Sequence, residues 1–363
     1  MNMSHIMQPN VQISKRIDWI DFAKAIGIFL IVFGHSIKGT IAHTFVYSFH
    51  VPLFFYLTGS TFGCRNVYGK FLVKRFKTLL IPYWAVMAVS IVIFYFMGSF
   101  TADSLDVNTV AFSWKDYILG SLYGNFKTGF LKANAPLWFL PCIFVVQNLM
   151  YGIIKITEKL KKPILGVLTA LALSILICYL NYYIFKISML PFAIETAFYV
   201  LPYTLLGYVL SKYQLPKLSR LLSVSISVVL FGICFASCYF FNVICNVSSD
   251  QYTNLSLCFV TALCGTFAVV FLCKAIPSSK PLSYLGKNTM VILLLHKFPI
   301  LFFQVIFKPT VEPMKNNFIP VCIVVAIISV VMCLIAGEII KIICPWLIGA
   351  SRKKKGTKEQ NKT

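Results

Sequence analysis

Apolar runs of about twenty residues recur from one end of this 363-residue chain to the other. Each is long enough to cross the ~30 Å hydrocarbon layer of a bilayer as an α-helix. Ten such runs are read, at about 17–38, 43–63, 78–99, 135–155, 163–184, 191–211, 220–242, 254–275, 286–307 and 317–345. The expected fold class is therefore all-α: a polytopic membrane bundle of about ten transmembrane helices. Composition agrees, with 58% hydrophobic and 12% charged residues, where soluble domains carry about 25% charged. No boundary divides residues 1–350, so one membrane domain is expected there, followed by a basic, disordered tail over 351–363. The first run carries charges and leads directly into the second, which is not the pattern of a cleavable signal peptide.

A net charge of +22 could mark a nucleic-acid binder, but the cations are sorted by side. Counting loops alternately from a cytoplasmic N-terminus, one side receives Lys15, Arg16 and the five cations between Arg65 and Lys77. Lys155, Lys159, Lys161, Lys162, Lys212, Lys217, Arg220, Lys274, Lys280, Lys287 and the Arg352–Lys355 tail follow there. The other side receives Lys38, Lys115, Lys127, Lys132, Lys186, Lys308 and Lys315, spread more thinly. This is the positive-inside bias, so both termini are expected in the cytoplasm, and no nucleic-acid partner is expected. The tail is also suited to anionic lipid.

The twelve cysteines mostly fall within spans, where Cys behaves as a small hydrophobe. Cys234, Cys238 and Cys245 lie toward an outer loop, where pairing is open. No Cys-x-x-Cys occurs and no metal site is expected. The nucleophile elbow, the zinc-protease helix and the dinucleotide-binding glycine pattern are absent. Gly63–Lys70 misses the phosphate-loop spacing by one residue and lacks its Ser/Thr. Within 100–134, the segment from Trp114 to Leu119 suits a short helix lying at the interface.

Chemistry must then come from polar groups in the spans. Lys24 and His35 lie eleven residues apart in the first run, which is three turns, one face, and roughly 16 Å along the axis. Charged and imidazole groups inside lipid are costly and normally mark a functional interior. The bland alternatives are an Asp18/Asp21–Lys24 pair near the helix start and an interfacial histidine at 35. Gly34 permits close approach of a neighbour. In the second run, His50 precedes Pro52, which frees a backbone carbonyl. The block Lys74-Arg75-Phe-Lys77 stands before a helix start, a place that attracts phosphate, although topology alone also puts cations there. Glu195 is suited either to sugar hydroxyls or to a cation. His296 and Lys297 lie mid-span and could line the same cavity, Trp138 and Tyr284 suit packing or the interface, and Glu338 with Lys341 suits a self-neutralised pair.

These residues are similar to the acyltransferase-3 family. The resemblance lies in Asp21-x-x-Lys24-x10-His35, Phe49-His-Val-Pro-Leu-Phe-Phe-Tyr-Leu-Thr-Gly59, Lys74-Arg-Phe-Lys77 with Ile81-Pro-Tyr83, Pro136–Pro141, and Leu282–Thr289 with Leu294-Leu-His296. It covers nearly the whole chain and looks closest to the bacterial fucose-4-O-acetylase-like branch. It implies an O-acetyltransferase of a bacterial inner membrane. The acetyl group would pass from cytoplasmic acetyl-CoA, a co-substrate and not a resident cofactor, to a sugar of a surface polysaccharide or its lipid-linked precursor. The family's basic-x10-His motif falls on Lys24 and His35. Its Arg-x-x-Arg motif is imperfect, since Lys74-x-x-Lys77 has the spacing and Arg75 pairs with Thr78. Some members carry a fused soluble domain, which this sequence lacks, so transfer is expected within the bundle or with a separate partner.

On that reading His35 is the general base that takes the proton of the attacking hydroxyl, with a covalent acetyl-imidazole as the less economical route. Lys74, Arg75 and Lys77 meet the phosphates of coenzyme A, and Lys24 extends the positive path inward. His50, Trp138, Glu195 and His296 are the acceptor-side candidates. The competing reading is a transporter or flippase of a lipid-linked sugar, which would also need intramembrane charge and a central cavity. No internal repeat of the transporter kind is visible.

Overall fold

The computed structural model describes residues 18–101, 114–128, 131–213 and 218–349; the basic tail at 351–363 and most of the 100–113 segment lie outside these. Among the described residues nine helical stretches are long and apolar enough to cross a membrane, and the only strands are two-residue pieces, Cys245–Asn246 and Gln251–Tyr252, paired antiparallel. The architecture is an all-α polytopic bundle. The remaining expected span, 43–63, is the helix α2 (Ile41–Ser60). It follows α1 (Asp18–Ser36) and is more polar than the other nine because it contains His43, Thr44, Ser48 and His50.

Two expected spans have a different build. The basic stretch around Lys74, read as a loop before the third span, is already helical: α3 (Tyr68–Arg75) runs through a wide π-turn at Phe76–Leu80 into α4 (Ile81–Thr101). Lys, Arg and Leu are good helix formers, and the N–H of Ile81 reaches back five residues to the carbonyl of Phe76 to close the wide turn. After α4 come α5 (Trp114–Tyr123), α6 (Phe139–Thr157), α7 (Pro163–Leu180), α8 (Ile194–Lys212), α9 (Arg220–Phe240) and α10 (Leu255–Ala275). The expected 286–307 span is the stretch Thr289–Ile306, whose hydrogen-bond ladder is uneven although its backbone at His296 stays helical. A short α11 (Lys280–Lys287) precedes it, and α12 (Thr289–Leu295) gives way to α13 (Lys297–Leu301) across His296. Pro299 has no N–H to return to the carbonyl of Leu295, so the ladder is interrupted there. α14 (Lys308–Lys315) and α15 (Ile319–Ile343) complete the bundle.

Burial sorts the helices into a centre and a periphery. The spans containing α1 and α8 are 67% and 72% buried inside the protein, whereas those of α7 and α9 are 17% and 22% buried and present their leucines, valines and phenylalanines outward. α1 packs against α2, α10, α11 and α15, and α2 against α8 and α10. The approach of α11 to α1 explains one glycine of the Leu-Ser-Tyr-Leu-Gly segment: a Cβ on Gly286 would stand 2.0 Å from the carbonyl oxygen of Asp21. Ser283 Oγ also reaches Asp21 Oδ2 at 3.4 Å. The interfacial segment at Trp114 is helical as expected. Its Ile118, Leu119 and Leu122 are exposed, and its Ser121 carbonyl accepts from Tyr83 Oη (2.7 Å) and Trp84 Nε1 (3.2 Å) of α4.

All twelve cysteines are free, so Cys234, Cys238 and Cys245 do not pair with one another as disulfides. Glu338 and Lys341 form the self-neutralised pair read from their spacing (2.6 Å), and Tyr284 Oη donates to the same carboxylate.

Candidate active site

α1 is a continuous helix, so Lys24, Ile28, Ile31 and His35 form one stripe along it. The first three line a crevice of about 260 Å³ together with Phe54 and Thr58 of α2, Thr61 just past its end, Arg75 of α3, Gln147 of α6, and Thr289, Met290 and Leu293 of α12. Two polar atoms there, Arg75 Nε and Gln147 Oε1, are buried without a hydrogen-bond partner among the described residues. Native proteins rarely bury such groups unpaired, which makes a polar ligand the natural complement.

The cationic block is split. Arg75 turns into the crevice and stacks its guanidinium 5.0 Å over the Phe71 ring. Lys74 and Lys77 are exposed and face another groove, shared with Lys70, Val73, Ile81 and Trp346. The expected grouping of Lys74, Arg75 and Lys77 in one anion site is therefore not what the fold presents: the π-turn and helical twist send Arg75 one way and the two lysines another. Lys24 and Arg75 are the crevice cations.

Beyond Ile31 and Leu293, one turn further along α1 and α12, the crevice residues give way to imidazoles. Four of the five histidines gather around Tyr47 and the uneven ladder of the ninth span. The rings of His35 and His296 lie 5.3 Å apart. Tyr47 Oη is 3.2 Å from His35 Nδ1, and the Tyr47 ring lies 4.0 Å from that of His43 and 4.8 Å from that of His50. Gly34 has a clear function in this packing, because a Cβ there would meet the Tyr47 ring at 3.0 Å. His296 is fully buried, with Nδ1 2.9 Å from the carbonyls of Ile292 and Leu293. His50 is likewise buried, and its Nδ1 meets the carbonyl of Val46 at 2.8 Å; the carbonyl of Ser48 freed by Pro52 is not its partner. No group of three or more histidines, cysteines or carboxylates suited to a metal occurs among the described residues.

The remaining acceptor-side candidates sit elsewhere. Trp138 is buried in the main apolar core and packs edge-on against Phe139 at 6.2 Å. Glu195 takes the cation of its two alternatives. One of its oxygens accepts from Lys127 Nζ (2.7 Å), Asn125 Nδ2 (2.8 Å) and the N–H of Met189, and the other from the N–H of Leu190. Lys127 is also paired with Asp250, whose other oxygen accepts from Thr196 Oγ1. Burial pulls the Lys127 ammonium below its ordinary range while Glu195 opposes the shift. This cluster is saturated and ties three outer segments together.

Tyr47, Gln147 and Asn134 were not legible as site residues. Asn134, in extended-like backbone inside a short 3-10 segment, donates to Ser90 Oγ (3.1 Å) and toward the Leu294 carbonyl (3.5 Å), holding α4 and α12 in place beside His296. Its signal in the sequence is only a polar residue just before Pro136-Leu-Trp. Tyr47 stands three residues before His50, on the same helix face, and that spacing is its one sequence signal.

No curated protein and no solved structure gave a match to the chain. A family model described as an acyltransferase domain matches residues 17–338, from the start of α1 to the Glu338 pair in α15. That span includes the crevice and all four clustered histidines, so the chain belongs to the acyltransferase-3 family and is a multi-pass membrane acyltransferase.

Proposed function

We propose that the protein is an O-acetyltransferase that takes the acetyl group of cytoplasmic acetyl-CoA and places it on a sugar hydroxyl of a cell-surface polysaccharide or its lipid-linked precursor. A bacterial inner membrane, with both termini cytoplasmic, suits this reading, as does the fucose-4-O-acetylase-like branch. The observation that carries it is the crevice. It is lined by Lys24 and Arg75, offers an unpaired donor (Arg75 Nε) and acceptor (Gln147 Oε1), and reaches Ile31 and Leu293, one turn short of His35 and His296. A long, anionic, amide-bearing donor matches those features in order.

The chemistry follows from what stands where. A sugar hydroxyl is a poor nucleophile at neutral pH, so His35 acts as general base. The role requires the His35 tautomer in which Nδ1–H points to Tyr47 Oη, 3.2 Å away, so that Nε2 is free to take the proton. Lys24, roughly 16 Å from His35 along the helix, is too far to touch the same atom and serves the donor. Arg75 meets its phosphates or pantetheine oxygens with charge-assisted hydrogen bonds.

The split of the cationic block is directly testable. Arg75→Ala raises KM for acetyl-CoA about tenfold or more, the loss of a hydrogen bond to a charged group being about 1.5–3 kcal/mol. Lys74→Ala and Lys77→Ala shift it by about twofold, as exposed charges do. Equal effects of all three would return the lysines to the donor site. The function itself is tested with purified protein in nanodiscs, labelled acetyl-CoA and a mixed pool of surface glycans. Label is expected in the glycan fraction. Folded protein that neither binds acetyl-CoA nor labels any glycan would overturn the reading and bring forward transport of a lipid-linked sugar.

A further inference from the structure

Two imidazoles, His35 and His296, stand with ring centroids 5.3 Å apart one turn beyond the crevice residues Ile31 and Leu293, where direct transfer needs one. Their protonation is not equivalent. The Nδ1 of His296 faces two backbone carbonyls, which only accept, so Nδ1 carries the proton and Nε2 holds a lone pair. That Nε2 is buried and has no hydrogen-bond partner among the described residues. His50 shares the Nδ1–carbonyl bond, but its Nε2 is not among the unpartnered buried atoms. The segment bearing His296 is held by Asn134 on the Leu294 carbonyl and by the backbone bonds of His296 to Ile292 and Ile300. Leu293, a crevice residue, lies one turn below. A buried, unpaired acceptor nitrogen one turn beyond a crevice suited to the donor is the arrangement expected of a nucleophile.

We infer that His296 is a covalent relay: its Nε2 receives the acetyl group from the donor and hands it to the acceptor, with His35 as the base of the second step. This deepens the acetyltransferase reading and rests on it. In the first step the Nε2 lone pair adds to the thioester carbonyl and the C–S bond breaks. Coenzyme A leaves as thiolate and takes a proton from water. The acetylimidazolium that results keeps its Nδ1–H on the carbonyls of Ile292 and Leu293, whose dipoles stabilise the positive charge. In the second step the acceptor oxygen attacks the acetyl carbon, its proton passes to His35 Nε2, and the N–C electron pair returns to His296. His35 then releases the proton to water. The sum is acetyl-CoA plus alcohol giving coenzyme A plus ester. The relay also lets donor and acceptor use the site in turn from opposite ends.

The test is isotope exchange without acceptor. Purified protein in nanodiscs is incubated with labelled coenzyme A and unlabelled acetyl-CoA, and label entering acetyl-CoA is measured. Wild type exchanges. His296→Ala and the more conservative His296→Gln lose exchange and transfer while still binding acetyl-CoA, which shows that they are folded. His35→Ala loses transfer and retains exchange, because the first step does not use it. Wild type that labels glycans but exchanges nothing, or a His296 variant that exchanges normally, overturns the relay and leaves the acetyltransferase reading standing. Wild type that neither exchanges nor labels glycans overturns both.

Discussion

Acetyl transfer by His35→Ala falls by about 10²–10⁴-fold, the usual contribution of a positioned general base, while acetyl-CoA binding stays near that of wild type. The expectation follows from where the residue stands. His35 is one turn beyond Ile31, the last α1 residue lining the crevice, so on the proposed function the donor would be held by Lys24, Arg75 and Gln147 rather than by the imidazole. Its neighbours are Tyr47 and His296, not the crevice cations. Turnover with labelled acetyl-CoA and a direct binding titration check the two halves separately. A variant that retained transfer within a few-fold would remove His35 from the chemistry. One that lost binding as severely as transfer would make it a donor-site residue.

Glu195→Ala costs about 3–5 kcal/mol of stability, the range seen when one member of a buried ion pair is removed. Its carboxylate accepts hydrogen bonds from Asn125, Lys127, Met189 and Leu190, and the Glu195 and Lys127 side chains are 1% and 7% exposed. Removal leaves a buried ammonium with Asp250 alone and two backbone N–H groups without their acceptor. Thermal unfolding in detergent should show the loss, and Glu195→Gln, which keeps the acceptor oxygen but not the charge, should recover part of it. A well-folded Glu195→Ala that has lost only acceptor binding would reverse the assignment and make Glu195 a sugar contact.

The stripe from Lys24 to His35 was legible because helical periodicity acts within one segment and needs no knowledge of neighbours. The same local logic identified the Trp114 helix and the Glu338–Lys341 pair. What was not legible depends on how separate helices rotate against one another. Arg75 and Lys74 are adjacent in sequence, and only the π-turn at Phe76–Leu80 together with packing against α6 decides which of them faces the crevice. His35 and His296 meet because α12 ends beside α1, a tertiary fact. The Glu195 cluster joins the stretches around Asn125, Met189 and, through Lys127, Asp250, whose convergence no spacing rule encodes. Asn134 has a non-helical backbone in the middle of an otherwise helical segment, which conceals it from any pattern search.

The seat of Gly286 against the Asp21 carbonyl has a consequence for biogenesis. During synthesis α1 enters the bilayer first, yet the backbone it docks on emerges only when most of the chain has been made. Until then Lys24 and His35 wait in lipid or translocon before the crevice residue Thr289 and the ring of His296 arrive, a demanding interval for polar groups. Completion of the site is thus among the last events of assembly, a long-range closure of the kind that slows folding. Nascent or truncated chains ending before α11 should be inert, which confines acyl-donor chemistry to fully inserted protein.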